Sequence, residues 1–397
     1  MSPAIQSAEG PPPWPRKAGC YRSLGRVALL GAVVGFGCAN NIGKQIAAVP
    51  LQRYSYVLSL ATSVAYVPLY GTILVCLVRA GLIPRRQLRF VWQKTDRRFP
   101  YIWLFAFSAV GDALGDAIGM ICTPYVSGPV HSLLSNCTVV FIAILGVYAL
   151  RSRYSLLQCT ALCGVLAAVV LGVLPSFRGG SARDTRTNPF FAIILGAACI
   201  FNAQAFLVKE WLFRRYATLQ SGELLRDTQG LNVFVMNTHV ALFQLPLVFL
   251  IAPVNEALGQ TGGESLVAYV GHGLNCVMSS TQSACGPDSK HPEATGLCVV
   301  AYVAFNILWN ISVLASVKAN GALATFVALK AIFPVSTLLF AFVDWPLIGS
   351  QELPWLIWAS LALLLPCIAL YMYASDAQEK RKAGGEATCC WPIARPR

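Results

Sequence analysis

The sequence predicts an all-α polytopic membrane protein with ten transmembrane helices. Ten stretches of about 20 residues each are almost free of charged side chains, and this length matches the roughly 30 Å hydrocarbon thickness of a bilayer. The 397 residues are 56% hydrophobic and 12% charged, which is more apolar surface than one soluble core can bury. Spans joined by mostly short loops fill nearly the whole chain and leave no room for a separate catalytic domain.

The predicted spans follow one another in two groups of five. Because five is odd, the second group inserts upside down, which predicts inverted halves at 27–175 and 189–373, joined by a 176–188 loop. Tight turns at 123–128 and 318–321 join helical hairpins at matching places in the two halves. The spans are predicted at 27–50, 54–78, 99–122, 127–150, 155–173, 189–212, 232–253, 295–317, 322–343 and 354–373.

Lysine and arginine residues mark one side of the membrane. They follow the second, fourth, sixth and tenth spans, and the connection after the second span carries seven of them against the single acid Asp96. This predicts that both tails, 1–26 and 374–397, face the cytosol and that the 254–294 loop is lumenal. The 176–188 loop, with three arginines, is the exception. The net charge of +13 therefore indicates orientation and contact with anionic headgroups, not nucleic-acid binding.

The fourteen cysteines do not show the spacing of a metal site. Most lie singly in apolar spans, where a thiol behaves as a small apolar side chain. Cys276 and Cys285 differ, because they lie in the lumenal loop, where either a disulfide or two free thiols are possible. The segment 264–278 of this loop, which includes Cys276, is predicted to form an amphipathic helix on the membrane surface. Cys389 and Cys390 in the tail are candidate palmitoylation sites.

Two acidic residues lie inside the third predicted span. Asp112 and Asp116 stand four residues apart on one helix face, and interleaved glycines form a GxxxGxxxG pattern that favours close helix packing. The functional interpretation is a cavity-lining pair that attracts cations or takes up a proton, since two nearby carboxylates resist simultaneous ionisation. The structural alternative is an ion pair with a lysine on another helix.

Two lysines inside spans are the candidate counterparts. Lys330, deep in the ninth span, is the expected partner of Asp112 or Asp116, or else a site for a substrate carboxylate. Lys44 lies nearer the end of the first span, where the alternative is a side chain that snorkels to the interface.

Neutral polar residues complete the predicted cavity. His131 gives the fourth span a group that titrates near neutral pH and suits a proton relay, or that serves as a plain hydrogen-bonding residue. Asn40 and Asn41 either contact substrate or join helices through their amides. The remaining candidates are Ser132, Ser135, Asn136, Asn202, Gln204, Asn306 and Asn310.

The sequence contains no arrangement typical of an enzyme or of an ATP-driven pump. It has no HExxH, no GxxxxGK[ST] loop and no Ser/His/Asp set in a plausible elbow. No cofactor and no metal ion is expected. The expected partners are a small-molecule substrate, a proton and the lipid bilayer, without nucleic acid.

The segment 305–349 resembles the eighth-to-ninth-span hairpin of the chloroquine-resistance-transporter-like family, in the drug/metabolite transporter superfamily. Its asparagine-rich helix, its Lys-Ala-Asn-Gly turn and its Phe-Pro-Val-Ser step carry the likeness, and segments 38–59 and 123–141 are also similar. The resemblance implies two inverted five-helix halves and a central cavity that opens alternately to cytosol and lumen. It also implies transport of amino acids, short peptides, thiols or cationic drugs across a vacuolar, lysosome-like or plastid membrane.

The sequence therefore predicts a proton-coupled secondary transporter of an endolysosomal or vacuolar membrane. A plastid carrier of glutathione or other thiols is compatible with the same residues. The alternative from another class is a non-transporting membrane scaffold or receptor that binds through its lumenal loop. The deep charges argue against a scaffold, because it has no use for side chains that are unfavourable in the bilayer.

Overall fold

The computed structural model describes residues 17–95, 99–150, 154–177, 187–221, 230–257, 263–286, 289–350 and 353–383. Over these ranges the chain is helical, and its one extended pairing is an isolated bridge between Lys94 and Pro100. The helices are α1 Lys17–Ala48, α2 Tyr56–Arg79, α3 Arg85–Trp92, α4 Ile102–Cys122, α5 Gly128–Leu134, α6 Cys137–Leu150, α7 Leu156–Phe177, α8 Pro189–Ser221, α9 Val233–Ala257, α10 Leu266–Ser279, α11 Gln282–Cys285, α12 Thr295–Phe342 and α13 Trp355–Ala383.

The predicted all-α polytopic membrane architecture is confirmed. Among the described residues, eight helical segments are long and apolar enough to cross a bilayer. Two shorter apolar segments, Ala328–Phe342 and Trp355–Tyr371, lie where the ninth and tenth spans are predicted. The ends of the chain before residue 17 and after residue 383 lie outside the described residues, as do Cys389, Cys390 and 178–186.

Several helices continue past the predicted ends of the spans. The helix α1 begins at Lys17, before the predicted start at residue 27, and α8 continues to Ser221, past residue 212. Hydropathy marks where a helix leaves the hydrocarbon, whereas intrahelical hydrogen bonds hold the backbone equally well in water. The apolar stretches therefore underestimate helix length where polar residues with good helix propensity follow.

The predicted fourth span is not one continuous helix. A turn at Ser135 and Asn136 separates α5 from α6. The Asn136 side-chain amide donates to the carbonyls of Ser132 and Leu133, at 3.2 and 3.1 Å, and the Ser135 hydroxyl donates to the His131 carbonyl at 3.0 Å. These side chains compete with the backbone N–H groups of the next turn, which bends the helix.

The predicted hairpin of the eighth and ninth spans is contained in α12. The backbone is helical along the whole of α12. A straight helix would separate Trp309 from Ile332 by about 34 Å, yet side-chain atoms of both residues lie against Gly37 of α1. The chain therefore reverses direction between Trp309 and Ile332, and the predicted 318–321 turn falls within that interval.

Helix packing brings the two ends of the chain together. The helix α1 packs along α12, α7 packs on α13, and α4 packs on both α8 and α9. The helix α2 also packs on α9, and α6 on α8. Helices from the first part of the chain thus take most of their partners from the second part.

The predicted amphipathic helix of the 254–294 loop is present as α10. Ser265 caps it by accepting from the Ala268 backbone N–H. Its buried face carries Tyr269, Gly273 and Cys276, and Gly273 lies against Val57 at the start of α2. A position on the membrane surface stays a prediction for this helix.

Candidate functional site

An ion pair joins α4 to α8 inside the helix bundle. The Lys209 ammonium lies 2.6 Å from an Asp112 carboxylate oxygen. The two side chains keep 22% and 19% of their exposure, so each is largely buried but not sealed. Charged groups at this depth normally pair with one another or face a water-filled cavity, and Asp112 and Lys209 meet the first of these conditions.

Asp116 lies one turn further along α4. The Gln244 side-chain amide of α9 donates to its carboxylate at 3.1 Å. Lys44 and Lys209 are the cations near enough to act electrostatically on this carboxylate. Asp116 and Lys44 are both partly buried. The two acids of α4 therefore sit between two lysines, one from α1 and one from α8.

Lys44 forms a hydrogen bond with His131 of the fourth span. Its ammonium lies 3.0 Å from His131 Nε2, and the imidazole is buried. Because an ammonium group can only donate, Nε2 must accept, so His131 is neutral in this arrangement. The Lys44 side chain therefore turns inward to the fourth span, which argues against the alternative in which it snorkels to the interface. We call Lys44, Asp112, Asp116, His131 and Lys209 the central cluster.

Glycines bring the helices of the central cluster close together. A side chain at Gly111 would meet the Phe201 carbonyl oxygen at 2.6 Å, and one at Gly115 would meet the Asn202 side chain. The GxxxG spacing thus lets α4 approach α8 closely, as the sequence predicts. The Gln204 amide also donates to the Phe107 carbonyl at 3.0 Å across the same contact.

A second polar group joins α1, α2 and α12. The Asn306 amide donates to the Asn40 side-chain oxygen at 3.0 Å, and the Asn310 amide donates to Tyr66 Oη at 3.0 Å. The Tyr66 hydroxyl in turn donates to the Asn306 side-chain oxygen. Each of these polar groups is satisfied by another helix, which favours the helix-joining interpretation of Asn40, Asn306 and Asn310.

Lys330 does not occupy its expected place beside the α4 acids. It is partly buried in the ninth-span part of α12, near the thiols of Cys137 and Cys199. The ion pair of Asp112 is with Lys209 instead. The sequence could not foresee this pairing, because the depth of a residue does not say which way its helix face turns. A role for Lys330 as a site for a substrate carboxylate stays a prediction.

The remaining candidates are spread around the fourth span and its neighbours. Ser132 bonds to Ser336 Oγ, at 3.4 Å, and is buried. Ser135 is exposed at the bend of the fourth span, and Asn41 and Asn202 are partly buried. These residues line the surroundings of the central cluster without joining it.

Sequence reasoning missed three members of these two polar groups. Lys209 counts as a flanking positive charge in the orientation argument, although it falls inside the predicted sixth span. Gln244 and Tyr66 also lie inside spans, where an amide and a hydroxyl need partners. Their depth was the available signal, and the sequence alone could not name the partner of each.

Removing the Lys209 charge is expected to destabilise the protein. In Lys209→Met the Asp112 carboxylate stays buried but loses its counter-ion. We expect this to lower the free energy of unfolding by about 1–3 kcal/mol or more. Thermal unfolding of the purified protein in detergent measures the loss. The double variant Lys209→Met/Asp112→Asn should recover most of it, and a double variant no more stable than Lys209→Met would contradict the pairing.

The described part of the chain is thus a polytopic helical membrane protein with ionisable groups buried between its helices. The model of the CRT-like family, described as chloroquine-resistance transporter-like, matches residues 27–373. The chain belongs to this family.

Individual relatives are distant in sequence. Protein CLT2, chloroplastic, of Arabidopsis thaliana is 26% identical over 77% of this chain and 65% of its own length. Crt homolog 1 of Dictyostelium discoideum is 23% identical over 83% of this chain and 70% of its own length. The chloroquine resistance transporter of Toxoplasma gondii is 23% identical over 92% of this chain and 39% of its own length. The chain thus spans slightly less than two thirds of the first relative's length. The family description and the name of the Toxoplasma relative both include the word transporter.

Proposed function

We propose that the protein is a secondary active transporter of small organic solutes, coupled to protons. The observation that carries the proposal is the central cluster, in which ionisable side chains of α1, α4, α5 and α8 contact one another between the helices. Burial of charge is unfavourable in a bilayer, so a cluster of this kind is more readily explained by transport than by scaffolding. Amino acids, short peptides, thiols and cationic drugs are the proposed substrate classes.

Packing supports two inverted halves of five helices each. In such a repeat, each span of the first half corresponds to the span five places later. The contact between the third span, α4, and the sixth, α8, then corresponds to the contact between the eighth span, in α12, and the first, α1. The contacts of α2 with α9 and of α7 with α13 each join two corresponding helices. The central cluster then lies where the halves meet, as expected for a carrier with inverted repeats.

The cluster contains a simple means to couple a proton to movement. The Lys44 ammonium donates to a neutral His131. A proton taken up by His131 removes the acceptor and sets two positive charges side by side, which drives Lys44 toward the Asp116 carboxylate. Since Lys44 lies on α1, His131 on α5 and Asp116 on α4, this exchange alters the contacts among three helices of the first half.

The membrane and the orientation are part of the same proposal. The basic residues after the even-numbered spans support cytosolic termini, and the acidic lumen of an endolysosomal or vacuolar compartment would supply the proton gradient. The second candidate is a plastid carrier of glutathione or other thiols. The printed names of the Arabidopsis relatives include the word chloroplastic, which favours a plastid membrane. These names do not mention a substrate.

Uptake into proteoliposomes tests the proposal. Liposomes with the purified chain and an internal pH dye are given lysine, a dipeptide, glutathione or a cationic amphiphile, with and without an imposed proton gradient. We expect one class to enter faster than into protein-free liposomes and to move protons with it. Entry of none of the four above the protein-free rate would favour the scaffold.

We also propose that Cys276 and Cys285 form a disulfide that fastens the loop between α10 and α12. Their sulfur atoms lie within bonding distance, with the Cα atoms 4.5 Å apart, and both side chains are buried. Closing a loop of this length stabilises a fold by about 2–3 kcal/mol in the chain-entropy view.

Alkylation tests the disulfide. The denatured protein should gain two fewer labels without reductant than with it, and Cys276→Ser/Cys285→Ser should abolish the difference. A lowered unfolding temperature is expected in that variant, while Cys76→Ser, an exposed thiol of α2, should match the unmodified protein. Equal label numbers with and without reductant would contradict the bond.

A further inference from the structure

The short helix α3 between the second and third spans carries an unusual surface. At 100° per residue, Arg85, Arg89, Trp92 and Arg86 fall within one sector of about 120°. All four are exposed, and Trp92 keeps 68% of its surface. Lys94 follows on the same exposed edge. This surface, formed by Arg85, Arg86, Arg89, Trp92 and Lys94, is called the α3 platform.

The opposite side of α3 is fixed to the bundle. Phe90 is buried and stacks on Tyr101, with ring centroids 4.5 Å apart, and meets the Tyr216 ring at 5.0 Å. The buried Gln87 side chain accepts the Asn232 backbone N–H at 2.6 Å. These contacts hold the helix in one orientation, so its cations are presented together.

The chain after α3 is fixed as well. The Tyr101 N–H donates to the Gln93 carbonyl at 2.9 Å, and the Thr95 N–H donates to the Phe99 carbonyl at 2.7 Å. These bonds join residues that follow α3 to residues that precede α4. Since α2 ends at Arg79 and α4 begins at Ile102, the platform belongs to the connection between the second and third predicted spans.

The cations of the platform have no ion-pair partner among the residues that the structure describes. The ion pairs of that part of the chain involve Arg53, Lys209 and Arg214 and two histidines. Charge repulsion between adjacent arginines is unfavourable unless an anion lies between them. Exposed apolar side chains also occur before and after the platform in the chain, namely those of Leu82, Phe99, Trp103 and Phe107.

We infer that the α3 platform binds the headgroups of anionic phospholipids. Guanidinium groups match phosphate geometry, and an exposed tryptophan beside them is typical of the membrane interface. A soluble acidic partner would not account for the exposed Trp92 among the cations, whereas a lipid supplies both a phosphate and acyl chains. The inference does not depend on the substrate or on the coupling proposed above.

Lipid retention by the full chain tests this inference. The protein in a zwitterionic detergent is titrated with phosphatidylglycerol or phosphatidylcholine, and bound lipid is counted by native mass spectrometry. We expect phosphatidylglycerol to be retained in preference, and the variant Arg85→Gln/Arg86→Gln/Arg89→Gln to need about tenfold more lipid or greater for the same retention. The variant with lysine at the same three positions should stay within about threefold, because the charge is kept.

A matched control removes three exposed charges elsewhere, in Arg53→Gln/Arg214→Gln/Lys290→Gln. It should retain phosphatidylglycerol as the unmodified protein does. Equal retention in the α3 glutamine variant, or an equal loss in the control, would overturn the inference. Binding of soluble polyglutamate at the platform without a preference for phosphatidylglycerol would also overturn it, in favour of an acidic protein partner.

Discussion

Asp116→Asn is expected to abolish proton-driven uptake while leaving the protein folded. Asparagine keeps the size of the side chain and can still bond to Gln244, which approaches Asp116 at 3.1 Å. It cannot take a negative charge, so Lys44 loses the acceptor toward which protonation of His131 would drive it. We expect the initial uptake rate under a proton gradient to fall at least about a hundredfold, the effect of losing an essential proton-transfer group.

Uptake by proteoliposomes with equal protein content measures this loss, using the probe that enters fastest with the unmodified protein. Glu293→Gln is the matched control, because it removes an exposed carboxylate near the start of α12. It should transport normally. Unchanged uptake and unchanged pH dependence in Asp116→Asn would remove this carboxylate from the mechanism.

Gly111→Val is expected to prevent normal packing of α4 on α8. A Cβ at this position would lie 2.6 Å from the Phe201 carbonyl oxygen, a backbone atom that cannot move without shifting α8. Overpacking of this kind costs about 3 kcal/mol, which exceeds the small gain in helix propensity over glycine. Low yield and a lowered apparent unfolding temperature in detergent are the expected measurements.

Gly71→Val in α2 is the control for Gly111→Val, since nothing lies within 4 Å of a Cβ there. Its unfolding temperature should equal or slightly exceed that of the unmodified protein. If both variants unfold alike, the close approach of α4 and α8 is not what the glycine provides.

The sequence was most informative where the bilayer imposes a rule. Length and hydropathy found the apolar helices, because a backbone in hydrocarbon must satisfy its own hydrogen bonds. The glycine spacing of α4 correctly predicted a close contact with another helix, because small residues four apart lie on one helix face. The bend at Ser135 and Asn136 was not predicted, although the side chains that cause it are visible in the sequence. Whether they bond to the backbone depends on rotamers that neighbouring helices select.

The partners of the charged residues could not be read from the chain. Lys330 and Lys209 both lie inside predicted spans, yet only the packing of α4 on α8 decides that Lys209 meets Asp112. A hydropathy profile gives the depth of a side chain but not its direction around the helix axis. The structure places the predicted candidates Lys44, Asp112, Asp116 and His131 close together, whereas it pairs Asp112 with Lys209 and not with Lys330. Their role in transport stays a prediction.

Access of water to the central cluster tests the account most directly. Cysteine is placed at Asp112 or, as control, at the neighbouring buried Ala113, in a background where the exposed Cys76, Cys159 and Cys163 are serine. A charged, membrane-impermeant thiol reagent is then applied to both sides of reconstituted vesicles. If water reaches the central cluster, we expect rapid labelling of Asp112→Cys and none of Ala113→Cys. An Asp112→Cys thiol as unreactive as that of Ala113→Cys would mean a dry bundle and would contradict transport through this site.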